Sequence, residues 1–540
     1  MGAVIQPCDA GVVGSAQASD PCPIPSRRWV IAATGLGSGM AFLDSTVINV
    51  TLPAVQADLG ATLQEVQWVY GAYALVLTAL LLVGGSLGDH YGRRRVFSLG
   101  VVLFAASSLW CALAPSPEQL IAARATQGVG GAMMVPGSLA IIGASFEKTL
   151  RAKAIGTWAA LSGTGMAVGP VLGGWLVESV SWRAAFLINV LLAVVTLLII
   201  FRHVPESRDP GAARLDFAGA LVATAGLGAL VYGLIRSSTA GLEDATVLAT
   251  VAVGVLTLAA FVFVESKSKK AMVPLSLFRS KDFDGASLFT LLFYMALTGS
   301  LYFMPFLLVQ VHGYSALAVG GIFLPFVAIA FVLGYLSGRV VARFGARLPL
   351  IVASLALAVG FVLFALPGAN HHGSYWTTFF PAMVVQGFGM ALVIAPLTSV
   401  ALNSVEGSHS GLASGVNNVV CRAGGLLAVA VLGALISSSF SAHLDARLEA
   451  MELSPEVREA VAAEKVKLGA AEAPRSVDAA TAARIQEAIA ESFVAGFRLV
   501  MFVAVGLALA SALVAALISP HHTTPAGAWS PLHALIHRRA

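Results

Sequence analysis

The stretch from Gly163 to Leu176 reads GTGMAVGPVLGGWL and lies inside a long apolar segment. Its glycines Gly165, Gly169 and Gly173 recur at every fourth position, so on an α-helix they form one stripe that carries no side chains. Such a stripe lets the backbone of a second helix approach closely, as small residues do between membrane helices. Pro170 removes one backbone hydrogen bond, a loss that a membrane helix tolerates where neighbouring groups replace the bond. We therefore predict a helix that packs closely inside a membrane protein.

The composition assigns the rest of the chain to a membrane as well. Of the 540 residues, 57% are hydrophobic and only 11% are charged, and the mean hydropathy is +0.84. These values lie far outside the range of soluble domains. The net charge of +4 gives no reason to expect nucleic acid as a partner, because basic residues in such a chain follow membrane topology. The cysteines lack the paired spacing of a disulfide framework or zinc site, so we expect free thiols at Cys8, Cys22, Cys111 and Cys421.

Apolar segments of about 20 residues can each cross a bilayer, and the chain contains about fourteen of them. Six lie before residue 202 and six after residue 285, with two more near 215–236 and 245–265. We therefore predict an all-α polytopic membrane protein. Its expected parts are an N-terminal tail at 1–28, a six-helix bundle at 29–202, two inserted helices with flanking loops at 203–284, a second six-helix bundle at 285–518 and a C-terminal tail at 519–540.

Lysine and arginine determine the predicted orientation, because cytoplasmic loops carry an excess of both. When the N-terminus is placed in the cytoplasm, the clusters at Arg93–Arg95, Lys267–Lys270 and Arg339–Arg347 all fall in inner loops. The short outer loops are almost free of basic residues. One misplaced helix would invert this alternation partway along the chain. The pattern therefore favours an even number of helices with both termini in the cytoplasm.

The long loop at 438–492 lies outside in this topology. Its sequence Ser454-Pro455-Glu456 is typical of a helix start, with serine as the N-cap and proline in the first turn. A second polar helix is expected from Asp478 into the last span. We predict a small helical hairpin; the alternative is a disordered spacer.

Two motifs occur once in each half of the chain. QGVGGA at 127–132 in the fourth span corresponds to QGFGMA at 386–391 in the twelfth. The glycines and arginine of the loop at 85–94 are repeated with nearly the same spacing at 338–347. Such parallel repeats are typical of transporters whose two halves alternate access to a central site.

Asp44 places a carboxylate within the first span, in the sequence LDSTVINVTLP at 43–53. An ionised aspartate at membrane depth is costly and must face a cavity or a partner. We therefore predict that Asp44 binds and releases the coupling proton. The alternative places Asp44 near the outer membrane surface, where it hydrogen-bonds Thr46 or Asn49.

The loop GSLGDHYGRRR at 85–95 combines glycines, one aspartate and three arginines. Glycines allow a tight turn between two helix ends, an aspartate can hold an arginine or a helix N-terminus, and arginines anchor to the inner leaflet. We predict that the loop latches a cytoplasmic gate; the alternative is an ordinary positively charged turn. The residues expected to act there are Gly85, Asp89, Gly92, Arg93 and Arg94.

Arg124 lies well inside the fourth span. A buried guanidinium stays charged and needs partners, so Arg124 can adjust the proton affinity of a nearby carboxylate or bind water. The alternative is a structural pairing with backbone carbonyls.

Aromatic and methionine side chains of the second half could line an apolar drug pocket: Phe293, Tyr294, Tyr302, Phe303, Met304, Phe323, Phe326, Trp376 and Phe380.

These motifs together resemble the fourteen-helix drug:proton antiporters of the major facilitator superfamily. Residues 43–53 resemble the signature LDxTxVNVALP, with Thr51 in place of alanine, and residues 85–95 resemble GxLaDrxGrk. Arg124 resembles the arginine of RxxxG, which implies a role in proton transfer. Residues 182–189 resemble the element WRxxFxIN, interpreted as an interfacial anchor, and Arg422 is typical of the family in position. The antiporter motif GxxxGPxxGG is matched by Gly165, Gly169, Pro170, Gly173 and Gly174.

The resemblance implies the major facilitator fold, with two six-helix bundles and two extra central helices. It also implies a monomeric proton-coupled antiporter that exports small lipophilic or cationic drugs or antibiotics across the bacterial cytoplasmic membrane and confers resistance. The proton gradient would supply the energy, without a cofactor or a metal. No acidic residue lies in the tenth span near 318–338, which argues against doubly charged cations as substrates.

The sequence contains no Walker A, GxSxG, HExxH or CxxC motif, so it gives no support for ATP hydrolysis or a membrane enzyme. Two alternatives remain. One is a proton-coupled uptake symporter for small metabolites, against which the glycine-rich fifth span argues. The other is a non-transporting receptor that binds a partner through the outer loop at 438–492.

Overall fold

Fourteen helices in the described part of the chain are long and apolar enough to cross a bilayer, and no described residue lies in a β-strand. The predicted all-α fold and number of spans are therefore confirmed. Most of the predicted tails at 1–28 and 519–540 lies outside the described residues. The computed structural model describes residues 24–208, 217–241, 243–267, 275–369, 374–404 and 410–519.

The first bundle consists of six helices that local capping helps to start. Thr62 and Glu65 form a reciprocal capping box before the second helix, and Ser116 accepts a hydrogen bond from the first turn of the fourth. These contacts satisfy backbone N–H groups that have no partner within the helix. The helices are α1 (Ile24–Leu59), α2 (Leu63–Tyr91), α3 (Arg93–Leu113), α4 (Pro117–Ser145), α5 (Lys148–Ser179) and α6 (Ala184–His203).

The second part of the chain contains the inserted pair and the second bundle. The predicted tenth span is broken at Phe323, where Pro325 in the next turn cannot donate the helical hydrogen bond. The inserted helices are α7 (Phe217–Ala240) and α8 (Ala245–Lys267). The others are α9 (Lys281–Phe306), α10 (Ala316–Ile322), α11 (Leu324–Phe344), α12 (Arg347–Ala365), α13 (Tyr375–Thr378), α14 (Phe380–Asn403), α15 (Ser410–Glu449), α16 (Pro455–Glu464) and α17 (Ala479–Leu517).

The glycine stripe of α5 packs against α1. A Cβ atom added at Gly165 would lie 2.6 Å from the carbonyl oxygen of Gly39, and one at Gly169 would lie 2.0 Å from Oγ1 of Thr46. Both distances are too short for a real Cβ atom, so any larger residue would push the two helices apart. The stripe therefore fixes the helix that carries Asp44.

A neighbouring face of α5 meets the second bundle at the predicted outer end. A Cβ atom at Gly174 would lie 2.3 Å from the carbonyl oxygen of Ala316, and one at Gly320 would lie 2.2 Å from that of Pro170. Glu178 also accepts a hydrogen bond from the backbone N–H of Leu317, at 3.2 Å. These backbone contacts close the outer end between α5 and α10.

The predicted inner part of α11 lacks the close backbone contacts that α5 makes with α10. No heavy atom among the described residues lies within 4 Å of the position that a Cβ atom would take at Gly338. Tyr335, one turn earlier, is 45% exposed. The two bundles are therefore in tight contact at the predicted outer end of α5, whereas Gly338 on α11 takes part in no comparable contact among the described residues.

The inserted pair lies beside the seam between the bundles. α7 packs against both α2 and α15, and α8 packs on α7. Ser437 of α15 donates a hydrogen bond of 2.6 Å to the carbonyl oxygen of Ser238 in α7. Leu256 and Phe263 of α8 are more than 60% exposed, as lipid-facing side chains are in a bundle. The pair therefore covers the side of the seam formed by α2 and α15.

The outer loop predicted at 438–492 begins later than expected, because α15 continues to Glu449 and its polar end extends a membrane helix. α17 begins at Ala479 and runs into the last span, which confirms the second polar helix expected from Asp478. The expected caps are confirmed: Ser454 accepts from the backbone of Val457, and Asp478 accepts from Ala480 and Thr481. The interpretation as a disordered spacer is wrong.

The hairpin between α15 and α17 lies across the two bundles. Gln56 of α1 donates to the carbonyl oxygen of Lys467 at 3.1 Å, and its own amide oxygen accepts from Gln310 at 2.9 Å. Leu468, next along the hairpin, is buried with a φ of 55°. Gln56 therefore connects the hairpin, through Lys467, with Gln310 of the second half at the predicted outer surface.

Candidate functional site

Asp44 and Arg124 form an ion pair in the interior of the first bundle. Nη1 of Arg124 donates to Oδ2 of Asp44 at 2.6 Å, and both side chains are almost completely buried, at 0% and 2% exposure. The alternative in which Asp44 hydrogen-bonds Thr46 or Asn49 is therefore wrong. Thr46 and Asn49 hydrogen-bond backbone carbonyls of their own helix instead.

Two amide side chains complete the shell around the carboxylate. Nε2 of Gln127 donates to Oδ1 of Asp44 at 2.9 Å, and Nδ2 of Asn189 donates to the same oxygen at 3.0 Å. Oε1 of Gln127 also accepts from Nη1 of Arg124 at 2.6 Å. Neither amide was predicted to be a site residue. Gln127 could have been found as the first residue of the repeated QG motif, and Asn189 as the last residue of the WRxxFxIN element.

Arg124 is held in place by contacts on other sides. Its Nε donates to the carbonyl oxygen of Val69 at 3.0 Å, so the carbonyl pairing given as the alternative exists beside the ion pair. The ring of Tyr73 lies 4.4 Å from the guanidinium carbon, within the range of a cation–π contact. Nη2 is buried without a hydrogen-bond partner among the described residues. These contacts hold the guanidinium next to Asp44, so a change in the charge of that carboxylate acts directly on Arg124.

A cavity of about 310 Å³ lies between the two bundles, next to this network. Arg124 forms part of its wall, whereas Asp44 is not among the residues that line it. The lining comes from both halves and is mainly apolar and aromatic. A ligand in this cavity would therefore touch the arginine, with the carboxylate behind it.

Only some of the residues predicted to line a drug pocket do line the cavity. Tyr294, Phe323 and Phe326 line the cavity. The remaining candidates do not, because they pack in the bundle core or lie near its surface. Phe293, Tyr302, Phe303 and Met304 are buried in the core, Trp376 is exposed, and Phe380 packs against Trp376.

The loop predicted at 85–95 is almost entirely helical, because α2 continues to Tyr91 and α3 begins at Arg93, so Gly92 alone forms the turn between them. Gly92 has a φ of 108°, a conformation that favours glycine, and Asp89 accepts from Nε of Arg93 at 2.8 Å. The backbone N–H groups of Arg94 and Arg95 donate to the two carboxylate oxygens of Glu206, at 3.0 and 3.2 Å. Gly85 packs near Pro136 of α4. Glu206, which the sequence analysis did not select, thus caps the start of α3.

Replacing Glu206 with alanine is expected to lower the free energy of unfolding by about 0.5 to 2 kcal/mol, because α3 loses its only side-chain cap in the described structure. Thermal unfolding of the purified protein in detergent measures the loss. Glu459→Ala, at an exposed position of the outer hairpin, is the matched control. Equal melting temperatures for the two variants would contradict the capping role.

The geometry therefore consists of two bundles, a cavity at their interface and a buried ion pair beside it. A family profile described as Major Facilitator Superfamily matches residues 34–429. The chain belongs to the major facilitator superfamily. The resemblance in the sequence motifs is thereby confirmed, and the superfamily is one of transporters.

Several members of this superfamily are similar in sequence to this chain over most of their length. The chain is 34% identical to "Multidrug resistance protein Stp" of Mycobacterium tuberculosis, covering 81% of both chains. It is 33% identical to the "Tetracenomycin C resistance and export protein" of Streptomyces glaucescens, covering 91% of both. Among solved structures, a bacterial homologue of the human lysosomal transporter Spinster in an inward-facing conformation matches with a TM-score of 0.62 at 18% identity, covering 92% of this chain and 100% of that one. This structural likeness concerns the superfamily fold.

Proposed function

We propose that the protein is a proton-coupled exporter of small drugs or antibiotics in the bacterial cytoplasmic membrane. The observation that carries the proposal is the buried pair of Asp44 and Arg124, with Arg124 in the wall of a cavity between two bundles. A group that takes up a proton at this place changes the charge next to the ligand. The similarity to drug resistance and export proteins supports the direction of transport.

The closed outer end fits the loading step of such a cycle. With α5 and α10 in contact, a drug enters from the cytoplasm or the inner leaflet. Opening of the outer end then exposes the cavity to the outside, where a proton binds Asp44 and the drug leaves. Protonation removes the negative charge that balances Arg124, so the network must rearrange before the bundles return. The proposal includes two further points: both termini lie in the cytoplasm, and the protein is a monomer.

Purified protein in sealed liposomes tests the proposal. An antiporter accumulates puromycin or tetracenomycin C in liposomes with an acidic lumen, because protons leave as the drug enters. A symporter accumulates its substrate when the bath, not the lumen, is acidic. Protein-free liposomes give the accumulation caused by pH partition alone. Failure of either gradient to move either compound above that level would refute proton-coupled drug transport.

The outer hairpin gives the receptor alternative a defined test. Replacing residues 451–477 with a short glycine–serine linker should change transport, because Lys467 of the hairpin binds Gln56, the residue through which the first half contacts Gln310 of the second. Unchanged transport together with loss of a bound partner would favour the receptor.

A further inference from the structure

The charged residues of the cavity wall are all basic. Arg124 comes from the first bundle and Arg422 from the second, and no aspartate or glutamate of the described residues lines the cavity. A cationic ligand in this cavity would therefore meet two like charges. A ligand with a negative charge would meet at least one cation.

The two arginines differ in their surroundings. Asp44 neutralises Arg124 through the 2.6 Å ion pair. Arg422 is partly buried, and Nε donates to the amide oxygen of Asn418 at 3.0 Å. The structure contains no ion pair between Arg422 and any described carboxylate. The uncompensated positive charge of the cavity therefore lies at Arg422.

The contact with Asn418 fixes the guanidinium by Nε and leaves its two terminal nitrogens available. Asn418 itself lines the cavity, one turn before Arg422 on α15. A guanidinium that presents both terminal nitrogens can bind a carboxylate or sulfonate through two parallel hydrogen bonds. Half-burial strengthens this interaction compared with an exposed arginine.

Flat side chains surround the remaining space. Tyr70 and Tyr73 come from the first bundle, and Tyr294, Phe323 and Phe326 from the second. Aromatic walls bind planar apolar ring systems by stacking and edge contacts. A volume of about 310 Å³ is at the lower end of the range for drug-sized ligands, about 300 to 1,000 Å³. The cavity therefore fits a compact aromatic body.

We propose that Arg422 determines substrate specificity and selects planar aromatic compounds that carry one negative charge. This proposal rests on the export function proposed above and narrows its substrate class from lipophilic or cationic compounds to aromatic acids. The carboxylate at Asp44 does not line the cavity, so a cation could not reach it to replace the proton. The acid group of the substrate and the proton instead occupy separate places, at Arg422 and Asp44.

Three fluorescent probes with one ring system test the proposal: anthracene bearing a carboxylate, a carboxamide or a trimethylammonium group. Fluorescence anisotropy with the full-length protein in detergent gives each Kd at neutral pH. The carboxylate is expected to bind most tightly and the trimethylammonium compound most weakly. Arg422→Gln should weaken carboxylate binding about tenfold or more and leave carboxamide binding nearly unchanged.

Two further variants distinguish the effect of the positive charge at Arg422 from a general effect of replacing an arginine. Arg422→Lys keeps the charge but cannot form two parallel hydrogen bonds, so it should recover only part of the lost affinity. Arg484→Gln removes an exposed arginine near the start of α17 and should have no effect. Tighter binding of the trimethylammonium compound, no binding of the carboxylate, or an unchanged carboxylate Kd in Arg422→Gln would each overturn the proposal. Export itself is judged by the liposome assay, with the anthracene carboxylate tested beside puromycin and tetracenomycin C. Drug accumulation in the liposomes together with tighter binding of the trimethylammonium probe would refute the proposed substrate class and leave the export function standing.

Discussion

The Asp44→Asn variant is expected to lose all drug accumulation driven by a pH gradient. Asparagine has nearly the same shape and can still accept from Arg124, but it cannot bind and release a proton. Drug exchange down its own gradient does not need the proton and should persist. The measurement compares both processes in the same liposomes: accumulation with an acidic lumen, and exchange of labelled for unlabelled drug at equal pH.

Asp58→Asn provides a matched control on the same helix. Asp58 also pairs with an arginine, Arg183, at 2.6 Å, but its side chain is 48% exposed, so the pair is screened by solvent. This variant should accumulate drug like the unmodified protein. Full pH-driven accumulation by Asp44→Asn would remove Asp44 from the mechanism.

Folding of the Asp44→Asn variant needs a separate check. Breaking a buried ion pair leaves a charge without compensation, at a cost of about 3 to 5 kcal/mol. The amides of Gln127 and Asn189 remain as partners for the new side chain and limit that cost. Asp44→Glu keeps a titratable group and should retain some pH-driven accumulation. Loss in both variants with intact exchange would show that the position of the carboxylate matters as much as its chemistry.

The Gly320→Val variant is expected to remain open at the outer end and to transport very slowly. A Cβ atom at this position would lie 2.2 Å from the carbonyl oxygen of Pro170, which belongs to the backbone and cannot rotate away. Relief of such a clash is worth about 1 to 3 kcal/mol. Since each 1.4 kcal/mol changes an equilibrium about tenfold, the ratio of the closed to the open state should fall about 5- to 100-fold.

Cys421 reports the open state directly because it lines the cavity. In right-side-out vesicles, a membrane-impermeant maleimide should label Cys421 much faster in Gly320→Val than in the unmodified protein. Cys8 and Cys22 are replaced by serine in both, and Cys111 is buried.

Gly321→Val is the control for this measurement. The same side chain is introduced one residue further along α10, where no heavy atom among the described residues lies within 4 Å of the added Cβ atom. Transport and labelling should both match the unmodified protein. If Gly320→Val also behaves like the unmodified protein, the contact between α5 and α10 is not the outer gate.

Much of the fold could be predicted from the sequence because the bilayer imposes strong local rules. Every membrane helix must satisfy its own backbone and offer about 20 apolar residues to lipid. Hydropathy alone therefore indicated the number of spans. The glycine spacing around Gly169 indicated a close helix contact, and the cost of a charge in lipid selected Asp44 and Arg124 as functional candidates.

The partners of these residues followed only from the tertiary structure. Nothing local relates Asn189 or Gln127 to Asp44, because the three lie on different helices that come together by packing. The same holds for Glu206, which caps a helix that begins more than a hundred residues earlier.

The charge of the cavity was also decided by three-dimensional packing. The sequence determined that two arginines and one aspartate lie at membrane depth. Helix packing decided that Asp44 compensates Arg124 behind the wall and that Arg422 faces the ligand space without a carboxylate partner in the described structure. Electrostatic energy depends on the distance between charges, and that distance is fixed by which helices touch and not by their order along the chain.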